Sequence, residues 1–403
     1  MKTKYFALTL FAITALTVSI YPWAKPLNNQ LLTEDSFHPH QTIIQKPHKN
    51  SKIEVVFVLD TTGSMSGLIQ SAKEKIWSIV TTMSSAQQSP DIKVGLVAFR
   101  DRGDQYVTKV IDLSSDLDSV FASLMDFQVG GGGDSPESVN QALHDAVSKI
   151  HWNQDPNSYK TIFLVGDAPP HMNYNEVKYP EILGLAKNKN IVINTIQCGQ
   201  DINTTRSWQR IAKLAQGAYF QVDQSGGAVA MTSPFDHKIA ELSRELDKTR
   251  LAYGNKEVKE SYARKEAAVK KLHEKSTIAS RARRATFNSS ASGKKNLFGE
   301  SDLIEDVTQG ISDLRSIESD QLPQALQGMK PEERMVFIRY KAEKRKSLQA
   351  KIGQLTKQRS SYMKDQALNL DNKEKSLDYQ LYDTIKTQAK NKGLVYELEA
   401  PAL

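Results

Sequence analysis

Residues 53–64 read Ile-Glu-Val-Val-Phe-Val-Leu-Asp-Thr-Thr-Gly-Ser, an apolar run that ends abruptly at an acid. The uninterrupted Val, Phe and Leu residues at 55–59 are typical of a strand that is buried on both faces of a sheet. Asp60, Thr62 and Ser64 follow at its carboxyl end, which is where open α/β sheets bind ligands. Their oxygen atoms suit a hard cation such as Mg²⁺, Mn²⁺ or Ca²⁺. The structural alternative is a plain strand-to-helix turn in which one of the two hydroxyls caps the next helix.

Two later loops carry further acids toward the same predicted edge. Residues 130–137 read Gly-Gly-Gly-Gly-Asp-Ser-Pro-Glu and open a helical pattern, for which Ser135 is the predicted N-cap and Pro136 suits the first turn. Residues 161–171 form another apolar run that ends at an acid, Asp167. Because the carboxyl ends of parallel strands lie at one edge of a sheet, the three loops together strengthen the prediction of a cation site.

The order of these motifs resembles the von Willebrand factor type A domain with its metal-ion-dependent adhesion site, over about residues 50–225. The family pattern Asp-x-Ser-x-Ser matches the stretch from Asp60 to Ser64, with Thr62 keeping the hydroxyl of the first Ser. The middle loop is similar to the Asp-x-Pro-Glu loop of integrin β-subunit I-like domains. The resemblance therefore implies that Mg²⁺, or Mn²⁺, is held by Asp60, Thr62, Ser64, Glu137 and Asp167, with Asp134 as the choice if the glycines are aligned instead of the Pro-Glu pair.

The integrin-like loop also implies a second cation beside the first. The strand pattern at 92–99 runs into Arg100-Asp101, and integrin β domains use an acid at this point to hold an adjacent ion. By that resemblance Ca²⁺ would be held by Asp101, Asp134, Glu137 and the carbonyl of Pro136. One departure is that the family's Asn in the Gly-rich turn corresponds to a Gly here, Gly132.

The first half of the chain has the pattern of an α/β fold. Strand and helix signals alternate, which predicts a doubly wound, mostly parallel six-stranded sheet. The resemblance adds that the third strand is antiparallel and lies at an edge. The predicted strands lie near 53–59, 92–99, 106–112, 160–166, 190–197 and 218–222, and the predicted helices near 68–83, 116–126, 137–151, 175–188 and 204–216.

From residue 236 onward the composition changes to one rich in Lys, Arg, Glu, Gln and Ala. This composition predicts an all-α, partly coiled-coil region. Its clearest helix is predicted at 331–367, with Pro331 in the first turn. A helical hairpin with 376–392, or with 237–273, is favoured over a long free coil. The apolar stripe of this helix has coiled-coil spacing and is interrupted by two arginines; it consists of Leu348, Ile352, Leu355 and Tyr362, with Arg345 and Arg359 in between.

The domain prediction divides the 403 residues into four parts. Residues 1–24, with two lysines before a short apolar run, form a signal peptide or an uncleaved N-terminal anchor. Residues 25–50 are a linker, 51–225 the von Willebrand factor type A domain and 236–403 the helical region. The export signal predicts a periplasmic, cell-envelope or extracellular protein. The single cysteine, Cys198, cannot form an internal disulfide and is predicted to be a buried thiol.

The basic charge is concentrated in the helical region. Residues 236–403 carry 33 of the 53 Lys and Arg residues but 25 of the 46 Asp and Glu residues. The basic clusters are interpreted either as a solvated helix face or as a contact with an anionic envelope surface. Nucleic acid is not an expected partner of an exported protein. These clusters consist of Arg281, Arg283 and Arg284, and of Lys341, Lys344, Arg345 and Lys346.

The prediction for function is a cation-dependent adhesion or scaffold module that captures an Asp or Glu of a protein partner, and not an enzyme. One alternative is a structural envelope protein with a vestigial metal site that acts through its helices. A metal-dependent phosphohydrolase is disfavoured, since the second acid expected two residues after Asp60 is Thr62. His171 is predicted to be a hydrogen-bonded loop residue. The tripeptide Arg102-Gly103-Asp104 is interpreted as a chance match to an integrin ligand.

Overall fold

A six-stranded sheet lies at the centre of the first half of the protein. The computed structural model describes residues 51–133, 135–223, 232–368 and 377–397. The strand order is β3-β2-β1-β4-β5-β6; β3 is antiparallel to β2 and the other pairs are parallel. The predicted doubly wound, mostly parallel six-stranded sheet and its antiparallel edge strand are confirmed. The strands are β1 (Lys52–Asp60), β2 (Asp91–Phe99), β3 (Thr108–Ser114), β4 (Tyr159–Gly166), β5 (Ile191–Cys198) and β6 (Tyr219–Val222).

Helices cover both faces of this sheet. On one face lie α1 (Ile69–Ser84) and α2 (Leu117–Asp126), and on the other lie α3 (Val139–Ser148), α4 (Tyr179–Asn188) and α5 (Ile202–Leu214). The central strand β1 is therefore buried along residues 53–60, which explains its uninterrupted apolar run. Between β1 and α1 the chain forms a short 3₁₀ turn at Gly63–Gly67.

The start of α3 differs from the sequence prediction. The helix begins at Val139, its N-cap position is Ser138, and the predicted N-cap Ser135 lies outside it. The reason is that Glu137 belongs to an extended segment, because its backbone N–H donates to Pro169 O at 2.9 Å and its carbonyl accepts from the His171 N–H at 3.1 Å. The helix therefore begins only after this pairing ends.

The described part of the chain after residue 231 is helical, apart from turns and one isolated bridge. The long helix α12 has 38 residues and packs along α6, α8 and α10, while α13 packs on α1 and β6. Of the two hairpin partners considered, the packing of α12 on α6 agrees with the segment at 237–273. The helices are α6 (Asp236–Asp247), α7 (Lys256–Lys275), α8 (Ile278–Ser289), α9 (Lys294–Phe298), α10 (Leu303–Thr308), α11 (Gln324–Gln327), α12 (Pro331–Leu368) and α13 (Leu377–Lys390).

The helical region completes the hydrophobic core of the sheet. Trp77 of α1 stacks on Phe121 of α2 with ring centroids 3.6 Å apart, and it also contacts Phe287 of α8 at 6.3 Å. Residues from α7, α8 and α13 belong to the same buried cluster as β1 and α1. Residues Lys49–Leu403 accordingly form one compact unit. The residues that the helical region adds to this core are Ala268, Leu272, Phe287, Leu381, Tyr382, Ile385, Ala389, Leu394 and Tyr396.

A buried ion network joins the α/β part to these helices. Arg284 of α8 donates to both oxygens of Asp118 on α2 at 2.6 and 2.8 Å, and to both oxygens of Asp247 on α6 at 2.8 and 3.1 Å. The Lys265 ammonium lies 3.6 Å from Asp118, and His273 Nε2 lies 2.8 Å from Asp247. These five residues, all buried or nearly so, are called the Arg284 network below.

The two arginines that interrupt the apolar stripe of α12 are also buried in ion pairs. Arg345 contacts both oxygens of Asp302 at 2.7 and 3.0 Å, and Arg359 donates to Asp236 at 2.8 Å. Arg283, Arg284 and Arg345 are each at most 3 % exposed. They therefore contribute no charge to the protein surface. Contact with an anionic surface remains a prediction that concerns the accessible Arg281, Lys341, Lys344 and Lys346.

The predicted signal peptide or anchor at 1–24 and the linker at 25–50 lie outside the described residues. Within the part of the chain that the structure describes, none of the helices combines the length and apolarity that crossing a membrane requires. Cys198 is a free, buried cysteine at the end of β5, as predicted.

Candidate metal centre

The end of β1 places Asp60 under the loop that follows it. Asp60 is fully buried, and its Oδ1 accepts hydrogen bonds from the backbone N–H of Thr62 at 2.9 Å and from Thr62 Oγ1 at 2.6 Å. The loop is held in turn by the backbone N–H of Thr61, which donates to Phe99 O at 2.9 Å. Asp60 therefore fixes the orientation of the Thr62 hydroxyl.

A chain of contacts connects this loop to the end of β4. Thr62 Oγ1 and Ser64 Oγ are 3.1 Å apart, and Ser64 Oγ donates to Asp167 Oδ1 at 3.0 Å. Gly166 permits the close approach, because a Cβ there would lie 2.7 Å from Asp60 Cβ. The structure thus brings Asp60, Thr62, Ser64 and Asp167 together, although 103 residues separate Ser64 from Asp167.

Glu137 reaches the same place from the Gly-rich loop. A Cβ on Gly132 would lie 3.1 Å from Glu137 Oε1 and 3.1 Å from Thr62 Cβ, so Gly132 lies between the two side chains. Gly132 also has a φ of 71°, a conformation that glycine adopts at little cost. The five residues Asp60, Thr62, Ser64, Glu137 and Asp167 are called the rim cluster below.

Two carboxylates of the rim cluster each have one buried oxygen that lacks a hydrogen-bond partner in the described part of the chain. Asp60 Oδ2 and Glu137 Oε2 have no well-formed hydrogen bond to the described residues, although the Asp167 backbone N–H approaches Asp60. Burial raises the pKa of Asp60 to about 7. Burial, together with the charges of Asp60 and Asp101, raises the pKa of Glu137 to about 9. Because buried carboxylates are usually paired or bound to metal, these two oxygen atoms point to a missing positive charge.

The rim cluster is open to solvent on one side. Ser64 is exposed, Asp167 is half-buried, and Gly131 to Gly133 and Ser135 are exposed or half-buried. A ligand from solution can therefore reach the Ser64 and Asp167 side of the cluster, while Asp60 and Glu137 stay covered.

Asp104 is a residue that the sequence analysis missed. Its Oδ2 accepts from the backbone N–H of Asp101 at 3.1 Å and from that of Gly132 at 2.9 Å. A Cβ on Gly131, whose φ is 72°, would lie 2.2 Å from the Asp104 carboxyl carbon. Asp104 therefore fastens the Gly-rich loop to the loop after β2. The sequence did contain a signal for this residue. Asp104 is the acid of the tripeptide Arg102-Gly103-Asp104, which was interpreted as a chance match to an integrin ligand, whereas in the structure it joins two loops of the same chain.

The residues predicted to bind a second cation are only partly described. Asp101 is buried, and it accepts from Ser138 Oγ at 2.7 Å and from the Tyr174 hydroxyl at 2.8 Å, with His171 Nε2 at 3.2 Å. Although burial opposes it, these hydrogen bonds lower the pKa of Asp101. Pro136 is half-buried and adjoins Glu137, whereas Asp134 lies outside the described residues. The second cation site remains a prediction, and Asp101 has several protein donors already.

His171 is the hydrogen-bonded loop histidine that the sequence predicted. Besides its contact with Asp101, its Nδ1 lies 3.0 Å from Asn173 Oδ1, and its ring stacks on Tyr174 with centroids 3.8 Å apart. This arrangement gives both ring nitrogens a partner within the folded chain.

The composition of the rim cluster fits a hard cation. Within the described ranges no group of three or more His, Cys, Asp or Glu side chains has the geometry of a metal site. The donors at the rim are instead mixed, with hydroxyls from Thr62 and Ser64 beside the uncompensated oxygens of Asp60 and Glu137. Such oxygen donors suit Mg²⁺ or Mn²⁺ and are poor ligands for soft metals.

Comparison with protein families agrees with this arrangement. Residues 54–233 match the family model of the von Willebrand factor A domain. The chain contains a von Willebrand factor A domain. Domains of this family commonly mediate metal-dependent protein interactions and are generally not enzymes.

Two curated proteins are similar to part of the domain. An ariadne-like RING finger protein of Acanthamoeba polyphaga mimivirus is 25% identical over 123 residues, which are 30% of this chain and 12% of that protein. Alpha-protein kinase vwkA of Dictyostelium discoideum is 27% identical over 129 residues, which are 30% of this chain and 19% of the kinase. The chain thus spans less than a fifth of the length of these relatives.

Several solved structures are also similar to part of this chain, at low sequence identity. Proximal thread matrix protein 1 from the mussel byssus has a TM-score of 0.35 and 15% identity, covering 44% of each chain. A form of that protein with a zinc-occupied MIDAS motif has 16% identity at the same TM-score, covering 45% of this chain and 43% of that one. The SpRpn10 VWA domain has a TM-score of 0.34 and 16% identity, covering 46% of this chain and 96% of its own. At these values the similarity carries no information on function.

Proposed function

We propose that this protein is an exported, divalent-cation-dependent binding module that captures an acidic side chain of a protein partner through Mg²⁺ at the rim cluster. The observation that supports the proposal is the pair of buried, uncompensated oxygens, Asp60 Oδ2 and Glu137 Oε2. A vestigial site would have no reason to retain two buried carboxylates without partners, because each lowers the stability of the fold.

Each residue of the rim cluster has a distinct role in this proposal. Thr62 and Ser64 would hold the cation through their hydroxyl oxygens, and Glu137 directly or through water. Asp60 and Asp167 would orient these hydroxyls, as their contacts with Thr62 at 2.6 Å and with Ser64 at 3.0 Å support. When bound, Mg²⁺ supplies positive charge and a coordination position that a carboxylate from outside can occupy.

The open side of the cluster supports an external ligand. Because Ser64 is exposed and Asp167 only half-buried, a partner side chain has access without a change in the fold. Export to the periplasm, the cell envelope or the exterior is part of the proposal and rests on the sequence of residues 1–24 alone. The partner is identified only by its chemistry, an Asp or Glu side chain.

Calorimetric titration of the chelator-treated full chain with MgCl₂ tests the cation site. We expect saturable binding in the wild type and at least a tenfold loss of affinity in Asp60→Asn, which keeps the acceptor for Thr62 but removes the charge. Asp112→Asn is the matched control, because Asp112 is an exposed acid on β3, and it should bind Mg²⁺ like the wild type. Equal heats of binding in wild type and Asp60→Asn would rule out a cation at the rim cluster.

Two further measurements refine this experiment. The variant Asp101→Ala tests the second cation site. If the wild type binds a single Mg²⁺ ion and Asp101→Ala binds the same number, a second cation site is excluded. A pull-down from envelope extract, run with Mg²⁺ and with EDTA, reports on partner capture. We expect capture by the wild type in Mg²⁺ alone and none by Asp60→Asn; capture that persists in EDTA would favour binding through the helical region instead.

A further inference from the structure

Asp104 lies outside the rim cluster, but its carboxylate is bonded to two loops that both lead to Glu137. A single oxygen, Asp104 Oδ2, accepts from the Gly132 N–H at 2.9 Å and from the Asp101 N–H at 3.1 Å. Gly132 belongs to the Gly-rich loop, and Asp101 belongs to the loop after β2. One side chain therefore holds the backbone on two sides of Glu137.

The first connection from Asp104 to Glu137 passes through Gly132. A Cβ on Gly132 would lie 3.1 Å from Glu137 Oε1 and 3.1 Å from Thr62 Cβ, so the Gly132 backbone lies against both residues. The separation of the Glu137 carboxylate from Thr62 therefore depends on where this backbone is held. The hydrogen bond from the Gly132 N–H to Asp104 holds it there.

The second connection passes through Asp101. Asp101 Oδ1 accepts from Ser138 Oγ at 2.7 Å, and Ser138 directly follows Glu137 in the chain. Asp101 and Ser138 are both buried. Because their hydrogen bond joins the loop after β2 to the segment of Glu137, a displacement of the Asp101 backbone would also displace Glu137. Asp104 opposes this displacement by accepting from the Asp101 N–H.

We infer that Asp104 is a positioning residue that sets the cation affinity of the rim cluster by fixing Glu137 relative to Thr62. The inference rests on the proposed function, because the affinity concerned is that of the rim cluster for Mg²⁺. Replacing residues that orient metal ligands through hydrogen bonds typically lowers metal affinity by about ten- to hundredfold. Asp104 acts through the position of its oxygen and not through its charge, since one acceptor oxygen makes both bonds.

Two variants of Asp104 separate position from charge in a calorimetric titration of the chelator-treated full chain with MgCl₂. Asp104→Ala removes both hydrogen bonds, and we expect it to bind Mg²⁺ at least about tenfold more weakly than the wild type. Asp104→Asn keeps a carbonyl oxygen for both N–H groups and removes the charge. Its affinity should stay within about threefold of the wild type, because solvent and salt screen the charge of a half-buried side chain.

Asp155→Ala is the matched control. Asp155 is also half-buried, and its Oδ1 accepts from the Asn157 N–H at 3.0 Å in the loop before β4. This loop lies at the opposite end of β4 from Asp167, so the variant loses a comparable loop hydrogen bond away from the rim cluster. We expect it to bind Mg²⁺ like the wild type. A cooperative urea transition in EDTA shows that each variant is folded.

Hydrogen–deuterium exchange in EDTA measures the positioning without the cation. A peptide that spans residues 130–133 should exchange faster in Asp104→Ala than in the wild type, because the Gly132 N–H has lost its acceptor. Asp104→Asn and Asp155→Ala should exchange there at the wild-type rate. Unchanged exchange in Asp104→Ala would show that Asp104 does not hold the Gly-rich loop, and the inference would be wrong.

The titration distinguishes failure of this inference from failure of the proposed function. If the wild type binds Mg²⁺ and Asp104→Ala binds it equally well, the proposed function stands and the inference is wrong. It is also wrong if Asp104→Asn loses as much affinity as Asp104→Ala, since the charge is then responsible. The same holds if Asp155→Ala loses as much, since the effect is then not specific to this loop. A wild type that does not bind Mg²⁺ overturns the proposed function and the inference with it.

Discussion

The rim cluster and the Arg284 network both bury carboxylates, but they treat the charge in opposite ways. Asp118 and Asp60 are both fully buried aspartates. Burial alone raises the pKa of Asp118, but the charges of Arg284 and Lys265 outweigh it and lower that pKa to about 2. No such cation faces Asp60 among the described residues, and burial raises its pKa to about 7.

This difference indicates that the Arg284 network stabilises the fold, whereas the rim cluster is suited to bind a cation. In the Arg284 network the chain supplies the positive charge itself, so the acids stabilise the contact between α2, α6 and α8. At the rim cluster the chain supplies acids and hydroxyls but leaves Asp60 Oδ2 and Glu137 Oε2 without partners among the described residues. A positive charge from outside the chain is the simplest way to complete that site.

The strongest test of this comparison removes the helical region. A chain that ends at residue 235 loses α7, α8 and α13, which pack on α1, α2 and β6, and it exposes core residues including Trp77 and Phe121. We expect it to be insoluble or to unfold without cooperativity, because these residues then lose their cover. Circular dichroism and size-exclusion chromatography measure this.

The matched control begins at residue 49 and keeps residues 236–403, which corresponds to the compact unit of the structure. It should unfold cooperatively. If the short chain instead folds as a stable monomer, the helical region is an independent domain, as the division at residues 225–236 predicts, and its contacts with the sheet contribute little.

The next largest effect should come from Arg284→Met. The substitution leaves Asp118 and Asp247 buried without their main partner, so we expect a loss of about 3 to 5 kcal/mol in the free energy of unfolding by urea. The control is Lys238→Ala, which removes an exposed pair with Glu241 and should change stability by less than about 0.5 kcal/mol. A loss below about 1 kcal/mol for Arg284→Met would show that the network is not a main source of stability.

Acid should weaken the Arg284 network in a defined range. The folded-state pKa of Asp118 is about 2, below the ordinary value of 3.8, so the unfolded chain binds more protons in between. This contribution is therefore complete above about pH 4 and is lost as the pH falls toward 2, with a magnitude of about 2 to 3 kcal/mol. The urea concentration at the midpoint of unfolding should therefore depend less steeply on pH in Asp118→Asn than in the wild type. An identical pH dependence would contradict the lowered pKa of Asp118.

Asp60→Asn, measured with and without the cation, distinguishes the two kinds of buried aspartate. In EDTA near neutral pH, Asp60→Asn should leave the free energy of unfolding equal to or higher than that of the wild type, because Asn keeps an acceptor for Thr62 and has no charge to bury. In Mg²⁺ only the wild type should gain thermal stability, by mass action of the bound cation. A loss of several kcal/mol in EDTA would mean that Asp60 is a structural residue like Asp118.

Much of the fold could be predicted because its signals are local. The apolar runs that end at Asp60 and Asp167 predicted β1 and β4 to within about a residue, and Pro331 with the two acids after it predicted the start of α12. The start of α3 could not be predicted from local rules, since the pairing of Glu137 with the 169–171 segment delays it. Ser135 satisfies the rules for an N-cap, but a tertiary hydrogen bond overrides them.

The candidate site likewise combines residues that local sequence signals predict with residues whose roles depend on tertiary contacts. The motif order led to Asp60, Thr62, Ser64, Glu137 and Asp167, and the structure brings these five side chains together. The role of Asp104 was missed, because its bonds to the backbone of Asp101 and Gly132 depend on two loops that meet only in the folded chain. The basic clusters were interpreted as surface features because sequence does not report burial, whereas Arg284 and Arg345 are in the interior.

Local sequence was enough to predict which strands are buried, where each strand ends and which oxygen-bearing side chains follow it, because these depend on the order and polarity of neighbouring residues. Tertiary structure alone decided which buried charges are paired. Arg284 meets Asp118 across 166 residues, whereas Asp60 and Glu137 lie among other acids and hydroxyls. Pairing is a property of distance in space, and the free energy of a buried charge depends on that distance rather than on its neighbours in the chain.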